Sequence, residues 1–394
     1  KLYLEFGGKL FDDYHASRVL PGFAPDSKMR MLQQLKDDVE IVIAINAADI
    51  EKNKTRGEYG ITYDNEVIKL INKSKKFGFT VNSVVVTLYK QQVSVDKFIK
   101  RLERNGIKTY IHTFTKGYPT DVDTIVSEEG YGANPYIETT KPLVLVNAPG
   151  PGSGKLATCL SQIYHEHERG INAGYAKFET FPVWNLPLKH PLNLAYEAAT
   201  IDLDDVNMID PFHLEMYGET TVNYNRDIES FPVLNSLFEK ILGESPYKSP
   251  TDMGVNMVGN CIVDDIVVCK ACKEEIIRRY YQVLKDKLNG KLNEDIVYKM
   301  ELLMKHSEVN IEQREVVKFA LEKEEFSNSN SCAIELFNGK IITGRTTKTL
   351  SAASSTILNA LKYDTLSNGP TEGFNNKIKV LKRTSYGIRN FNHF

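Results

Sequence analysis

A chain of 394 residues is too long for one small module; at about 150 residues per domain it predicts two or three. Its 42% apolar and 25% charged residues exclude a disordered or fibrous chain. With 49 Lys and Arg against 51 Asp and Glu, a net charge of -2, it has no overall field for gripping nucleic acid or an anionic membrane, so binding must come from local sites.

Short apolar runs alternate with amphipathic stretches over the first 185 residues, the pattern of a parallel sheet covered by helices. Strands are predicted at Leu2–Phe6, Val39–Ile45, Val81–Tyr89, Lys108–Phe114, Pro142–Val146 and Tyr175–Val183. Between them Val67, Ile68 and Ile71 share one helical face, as do Val95, Phe98, Ile99 and Leu102, with Ser94 placed to cap the second helix and Asn105-Gly106 to end it in left-handed backbone. From about Ala195 longer helical spacing takes over, through Lys270–Leu288, Asn293–His306 and Ile311–Glu324. Cys332–Leu336 and Lys340–Thr343 then flank Phe337-Asn338-Gly339, a strong hairpin signal, and a helix from about Ser351 to Lys362 follows. The fold class expected is α/β: a doubly wound, mainly parallel sheet with a P-loop-like turn, a helical subdomain and a truncated C-terminal α/β lobe. The expected divisions are 1–195 for the sheet domain, 196–327 for the helical part, 328–361 for the start of the truncated lobe and 362–394 for a tail. That tail holds six Lys and Arg against two carboxylates, a net +4, while residues 1–361 hold 43 against 49.

The five cysteines are odd in number and sparse, which argues against a disulfide framework and for a reducing cytoplasm. No apolar run approaches the roughly 20 residues of a membrane helix, and no leader pattern opens the chain. Lys1 already stands in a strand-like run, so a natural segment is expected before it. A homo-oligomer is left open.

Ligands of open α/β sheets collect outside the carboxyl ends of the strands. The sharpest signal there is the apolar run Leu143–Val146 entering Asn147-Ala148-Pro149-Gly150-Pro151-Gly152-Ser153-Gly154-Lys155 and then a helix. Glycines let amides converge on an anion, the helix terminus adds its positive end and a lysine adds charge, so Gly150, Gly152, Ser153, Gly154 and Lys155 are the candidate phosphate-binding residues. The Walker A pattern wants Gly at Pro149 and Ser or Thr at Leu156, so the magnesium-holding hydroxyl is missing, with Thr158 nearby but out of register. Binding of a phosphate-bearing small molecule, with a nucleotide among the options, is therefore expected ahead of nucleotide hydrolysis. The competing reading is a tight turn whose glycines only permit close packing.

The loop after the first strand packs Lys9, Asp12, Asp13, His15 and Arg18 into ten residues, and Asp13 and His15 are acid/base candidates. Asp49, after the second strand, is a weaker one. No metal is expected: Cys269-Lys270-Ala271-Cys272 is a lone pair, and His165-Glu166-His167-Glu168 has Arg169 where a zinc helix would need its second histidine. Whether the chain is an enzyme is left open, the alternative being a non-catalytic scaffold or sensor.

The stretches Leu4–Phe23 and Asn147–Thr158 closely resemble an uncharacterised bacterial family, catalogued as domain of unknown function eighteen-forty-six, over residues 1 to about 361. The resemblance implies a multi-lobed α/β protein with a helical insertion and no established reaction; the zinc-protease label some members carry finds no support in the residues above. Ser367–Lys379 and Lys382–Phe391 resemble the end of an insertion-sequence transposase of the ISL-three type, in which the glutamate matching Glu372 completes a three-carboxylate metal set. Two-metal strand transfer needs all three carboxylates, so DNA cleavage is not expected and nucleic acid is not an expected partner. Together these resemblances read as a chimera, either a family protein interrupted by a mobile element or a splice of two sequences that mimics one, with residues beyond about 328 its least stable part.

Overall fold

The computed structural model describes residues 1–56, 60–256 and 258–367. Two compact units divide at Leu303 and Met304.

In the first unit seven strands form one sheet: β1 (Leu2–Phe6), β2 (Val39–Asn46), β3 (Thr80–Thr87), β4 (Lys108–His112), β5 (Leu143–Asn147), β6 (Gly174–Phe178) and β7 (Gly254–Val255). Their order across the sheet is β7-β6-β1-β5-β2-β3-β4, and every pairing is parallel. The expected strand pattern holds for the six long strands, although the last of them ends at Phe178 rather than Val183.

Parallel strands buried on both faces read as continuous apolar runs. In β2, Ile41, Ile43 and Ile45 pack on one side with α2 (Ser27–Gln33), α3 (Tyr63–Lys76) and α4 (Val93–Arg104). Val42 and Ala44 face the other side, with α5 (Lys155–Glu168) and α7 (Asn225–Leu242). Between these two helices in sequence lies α6 (Pro191–Ala199). Gln92, not Ser94, occupies the cap position of α4, because the helix begins one residue before that serine. At its far end only Gly106 is left-handed, at φ +68°, while Asn105 keeps φ -91°.

The two helical layers fix where a ligand can sit. The chain leaves β1 through α1 (Tyr14–Val19) and α2 toward the face that α3 and α4 also cover, whereas it leaves β5 through α5 toward the opposite face. Since β1 and β5 are neighbours, their outgoing loops part company at the carboxyl edge, the arrangement that opens a crevice in such sheets. α8 (Asp265–Leu288) lies beside α1 and α6 at that edge and begins five residues earlier than its spacing suggested.

α9 (Glu294–His306) spans the boundary between the units. In the second unit, α10 (Glu315–Ser327) and α11 (Ala352–Ser367) pack against the hairpin β8 (Ser331–Glu335) and β9 (Ile341–Arg345). Gly339 sits at φ +76°, as the Asn-Gly signal requires. Residues 311–313 form a separate 3₁₀ turn, so the helix expected from Ile311 starts at Glu315. Glu372 and most of the basic tail lie outside the described residues. Among those that are described, no helix is long and apolar enough to cross a membrane.

Candidate functional site

The turn after β5 is fastened by its carbonyls. Asn46 Nδ2 donates to Gly152 O at 3.2 Å, Thr87 Oγ1 to Ser153 O at 3.0 Å, and Ser153 Oγ to Gly150 O at 2.8 Å. Gly154 caps α5 at φ +84°, and a Cβ there would stand 2.8 Å from Thr87 Cγ2, so both its conformation and its neighbour require glycine. Among the described residues, the amides of Gly152, Ser153, Gly154 and Lys155 donate to no acceptor. Gly152 is exposed and Ser153 is buried.

The other candidates in this turn are occupied. Thr158 Oγ1 donates to Gly154 O at 2.8 Å, which turns its hydroxyl into its own helix. Lys155 Nζ lies 3.7 Å from Glu5 Oε1 on β1, with 15% of its side chain exposed. Asp49 sits in a short helical turn, Ala47–Glu51, and its Oδ1 is 3.2 Å from Lys54 Nζ. Its Oδ2 is buried with no partner among the described residues.

On the β1 side of the crevice lies a cavity of about 270 Å³. Its walls come from the loop after β1, from the segment after β6, and from α1, α2, α6 and α8. Asp13 and His15 both line it and Asp49 does not, so the three acid/base candidates are not brought together. Five cations, Lys9, Arg18, Lys28, Arg278 and Arg279, face three carboxylates, Asp13, Glu179 and Glu275. The balance favours an anion.

Asp13 serves structure here. Its Oδ1 accepts from the Ala16 amide at 3.2 Å, capping α1, and its Oδ2 is 2.6 Å from Lys28 Nζ. Burial alone would raise this carboxyl, but the charge and hydrogen bond of Lys28 outweigh it and hold the group below the usual range, which makes a poor proton acceptor. Glu275, 3% exposed, gathers Arg18 Nε at 2.7 Å, Arg278 Nε at 2.6 Å and Nη2 at 2.8 Å, and His15 Nδ1 at 3.4 Å. There too burial is overcome, by hydrogen bonds from Arg278 and His15, and the carboxylate stays charged far into acid. His15 Nε2 is buried without a partner among the described residues.

Charges missed in the sequence run beneath both loops. Glu5 and Lys177 are register partners on β1 and β6. Tyr175 Oη donates to Glu5 Oε2 at 2.8 Å, while Lys177 Nζ reaches Glu179 at 3.1 Å, Tyr224 Oη at 2.7 Å and the Asp227 carboxylate. Tyr224 also donates to Glu179. Burial raises the Glu179 carboxyl; Lys177 opposes this and Asp227 adds to it, leaving the group lifted to about 7. With 19% of its side chain exposed, Glu179 remains open to the cavity it lines. Gly7 makes this approach feasible, since a Cβ there would lie 2.9 Å from Phe178 O and 3.0 Å from Glu179 Cγ. The available signal was a glutamate inside the run Leu2–Phe6 and a lysine inside Gly174–Phe178, charges in strands that are otherwise apolar.

His190, Asp265 and Cys269 place ligand atoms within 4.8 Å of one another. Their chemistry fits a metal poorly. His190 Nδ1 accepts the Leu192 amide at 3.1 Å, so the proton belongs on Nε2, the nitrogen nearest Asp265 and Cys269, whereas metal-bound histidines donate through their other nitrogen. Cys272 is fully buried and donates to Val19 O, the role expected of a core cysteine.

A family model described as "Domain of unknown function DUF1846, N-terminal" matches residues 1–308. A second, described as "Transposase", matches residues 276–394, reaching well before the basic tail and overlapping the first. Among curated relatives, a UPF0371 protein of Streptococcus thermophilus is 59% identical over 362 residues, covering 92% of this chain and 73% of the relative. UPF0371 proteins of Streptococcus pneumoniae and Streptococcus uberis are 58% identical with the same coverage. A solved F420-dependent methylene-tetrahydromethanopterin dehydrogenase aligns over 88% of this chain and 96% of its own at 11% identity, with a TM-score of only 0.14. Matched by the first model over most of its length and sharing more than half its residues with these relatives, the chain belongs to the family of the DUF1846 domain.

Proposed function

We propose that the chain binds a phosphate-bearing small molecule, a nucleotide among the options, at the P-loop-like turn Gly150–Lys155. The observation that supports this reading is the set of unsatisfied amides from Gly152 to Lys155 at the point where the loops after β1 and β5 diverge. Carbonyls of the same turn are tied to Asn46 and Thr87, which leaves the amides for a ligand. The end of α5 adds partial positive charge, and Lys155 adds its own from beside Glu5. Leu156 at the magnesium-hydroxyl position and Thr158 bonded into its helix favour binding without hydrolysis, the property of a sensor.

Titration calorimetry with inorganic phosphate, pyrophosphate and ATP tests the reading. At Gly152 a Cβ would meet nothing within 4 Å among the described residues, and aspartate tolerates left-handed backbone, so Gly152→Asp places a carboxylate at the turn for about 1 kcal/mol of strain. Phosphate binding to the parent chain and its loss in this variant are expected. Equal affinity in both, or no binding of any of the three at millimolar concentration, overturns the proposal.

A further inference from the structure

The cavity beside β1 carries chemistry that the turn lacks. Among the described residues Arg18 pairs with Glu275 through Nε, which leaves both of its Nη groups. Arg279 uses Nε on Ala198 O and Nη2 on Asp202, which leaves Nη1. Guanidinium groups with open N–H bonds recognise anionic oxygens in a plane. The same walls present acceptors: the Glu179 carboxylate and His15 Nε2, which has no partner among the described residues and, with Nδ1 on Glu275, accepts whenever the ring is neutral. Phe181 and Tyr196, stacked with centroids 5.5 Å apart, supply an apolar side. A volume of about 270 Å³ falls below the range for drug-sized ligands, so it suits a single small molecule better than a dinucleotide.

We propose that this cavity is a second binding site, for a small hydroxylated anion of the sugar-phosphate or hydroxy-acid kind, whose anionic group lies on Arg18 and Arg279 and whose hydroxyl groups donate to Glu179 and His15. The site is independent of the turn, since its lining is drawn from other elements. Specificity follows from the acceptors. A bare anion engages only the guanidinium groups, whereas a ligand with hydroxyls beside its charge also offers a donor to the buried His15 nitrogen, which has no partner among the described residues, and to the part-exposed Glu179 carboxylate.

The test is titration of the full chain with glycerol 3-phosphate, gluconate, inorganic phosphate and glycerol, repeated for Glu179→Gln, His15→Gln and Gly152→Asp. One of the hydroxylated anions is expected to bind at least about tenfold more tightly than either inorganic phosphate or glycerol, the worth of one hydrogen bond to a charged group. Phosphate-ester preference points to the sugar-phosphate kind and carboxylate preference to the hydroxy-acid kind, and either supports the site. Glu179→Gln keeps the side chain's shape, and His15→Gln is a separate check should the first variant unfold; each is expected to weaken binding of the hydroxylated anion about tenfold, whereas Gly152→Asp is expected to leave it unchanged. The proposal is overturned by no binding at millimolar concentration, by equal affinity for inorganic phosphate and the hydroxylated anions, or by loss of their binding in Gly152→Asp alone, which would place them at the turn.

Discussion

Glu275→Gln probes the cavity's framework most directly. The carboxylate is 3% exposed and holds Arg18, Arg278 and His15, so the amide would leave two guanidinium groups facing donors instead of an acceptor. Removing one partner of a buried ion pair costs about 3–5 kcal/mol, but Arg18 and Arg278 are about a third exposed and regain water, which reduces the expected loss to about 2–3 kcal/mol. For the unit of Lys1–Leu303 this corresponds to a fall in Tm of about 3–5 °C, read by calorimetry or by urea unfolding. The pH dependence checks the cause. A carboxyl held below its ordinary value contributes stability that is complete above that value and is lost as pH falls through the folded one. The gap between parent and variant should therefore be constant from pH 7 to pH 5 and close only below the ordinary glutamate value of 4.5. A gap under about 0.5 kcal/mol at pH 7, the scatter of an ordinary surface substitution, or one that closes already at pH 5, would show that the charge of Glu275 does not hold these side chains together.

Glu179 behaves in the opposite sense. Its carboxyl is raised from 4.5 to about 7, so the folded chain holds a proton that the unfolded chain releases, and stability should fall as pH rises across that window. Glu179→Gln should flatten the parent's slope there, and an unchanged slope in pH-dependent unfolding would assign the titration elsewhere. In the second unit a Cβ at Gly344 would stand 2.3 Å from Thr356 N, so Gly344→Ala must part β9 from α11 at about 1–3 kcal/mol. Its unfolding transition should shift down while that of the first unit stays in place; coincident shifts in both would contradict the division at Leu303.

The sheet was legible because apolar runs such as Val39–Ile45 have no other use in a chain of this composition, and the hairpin because Asn338-Gly339 needs left-handed backbone. Boundaries were less so. Nothing in a spacing rule distinguishes Gln92 from Ser94 as the residue before α4, and the step from Tyr175 into the loop ends at Phe178 because Glu179 is recruited by Lys177 and Tyr224. The glycine turn was found by pattern, yet its lysine and threonine proved to be engaged with Glu5 and Gly154. Half of the cavity was out of reach for a simple reason: Glu275, Arg278 and Arg279 lie more than 250 residues from His15, and no local rule joins them. Asp13 misled because a carboxylate in a loop after a strand looks reactive until Lys28 is placed beside it.

The position of β5 between β1 and β2 has a consequence for biosynthesis. Both hydrogen-bonding partners of β1 are distant, Leu143–Asn147 on one side and Gly174–Phe178 on the other. The apolar segment Leu2–Phe6 therefore emerges from the ribosome about 140 residues before anything can pair with it, and parallel pairing at such separation is slow. During that interval its two bare edges invite association with other chains, and it is a natural client for a holding chaperone. An N-terminal product that ends before Leu143 lacks the glycine turn, and one that ends before Glu275 lacks part of the cavity's lining as well.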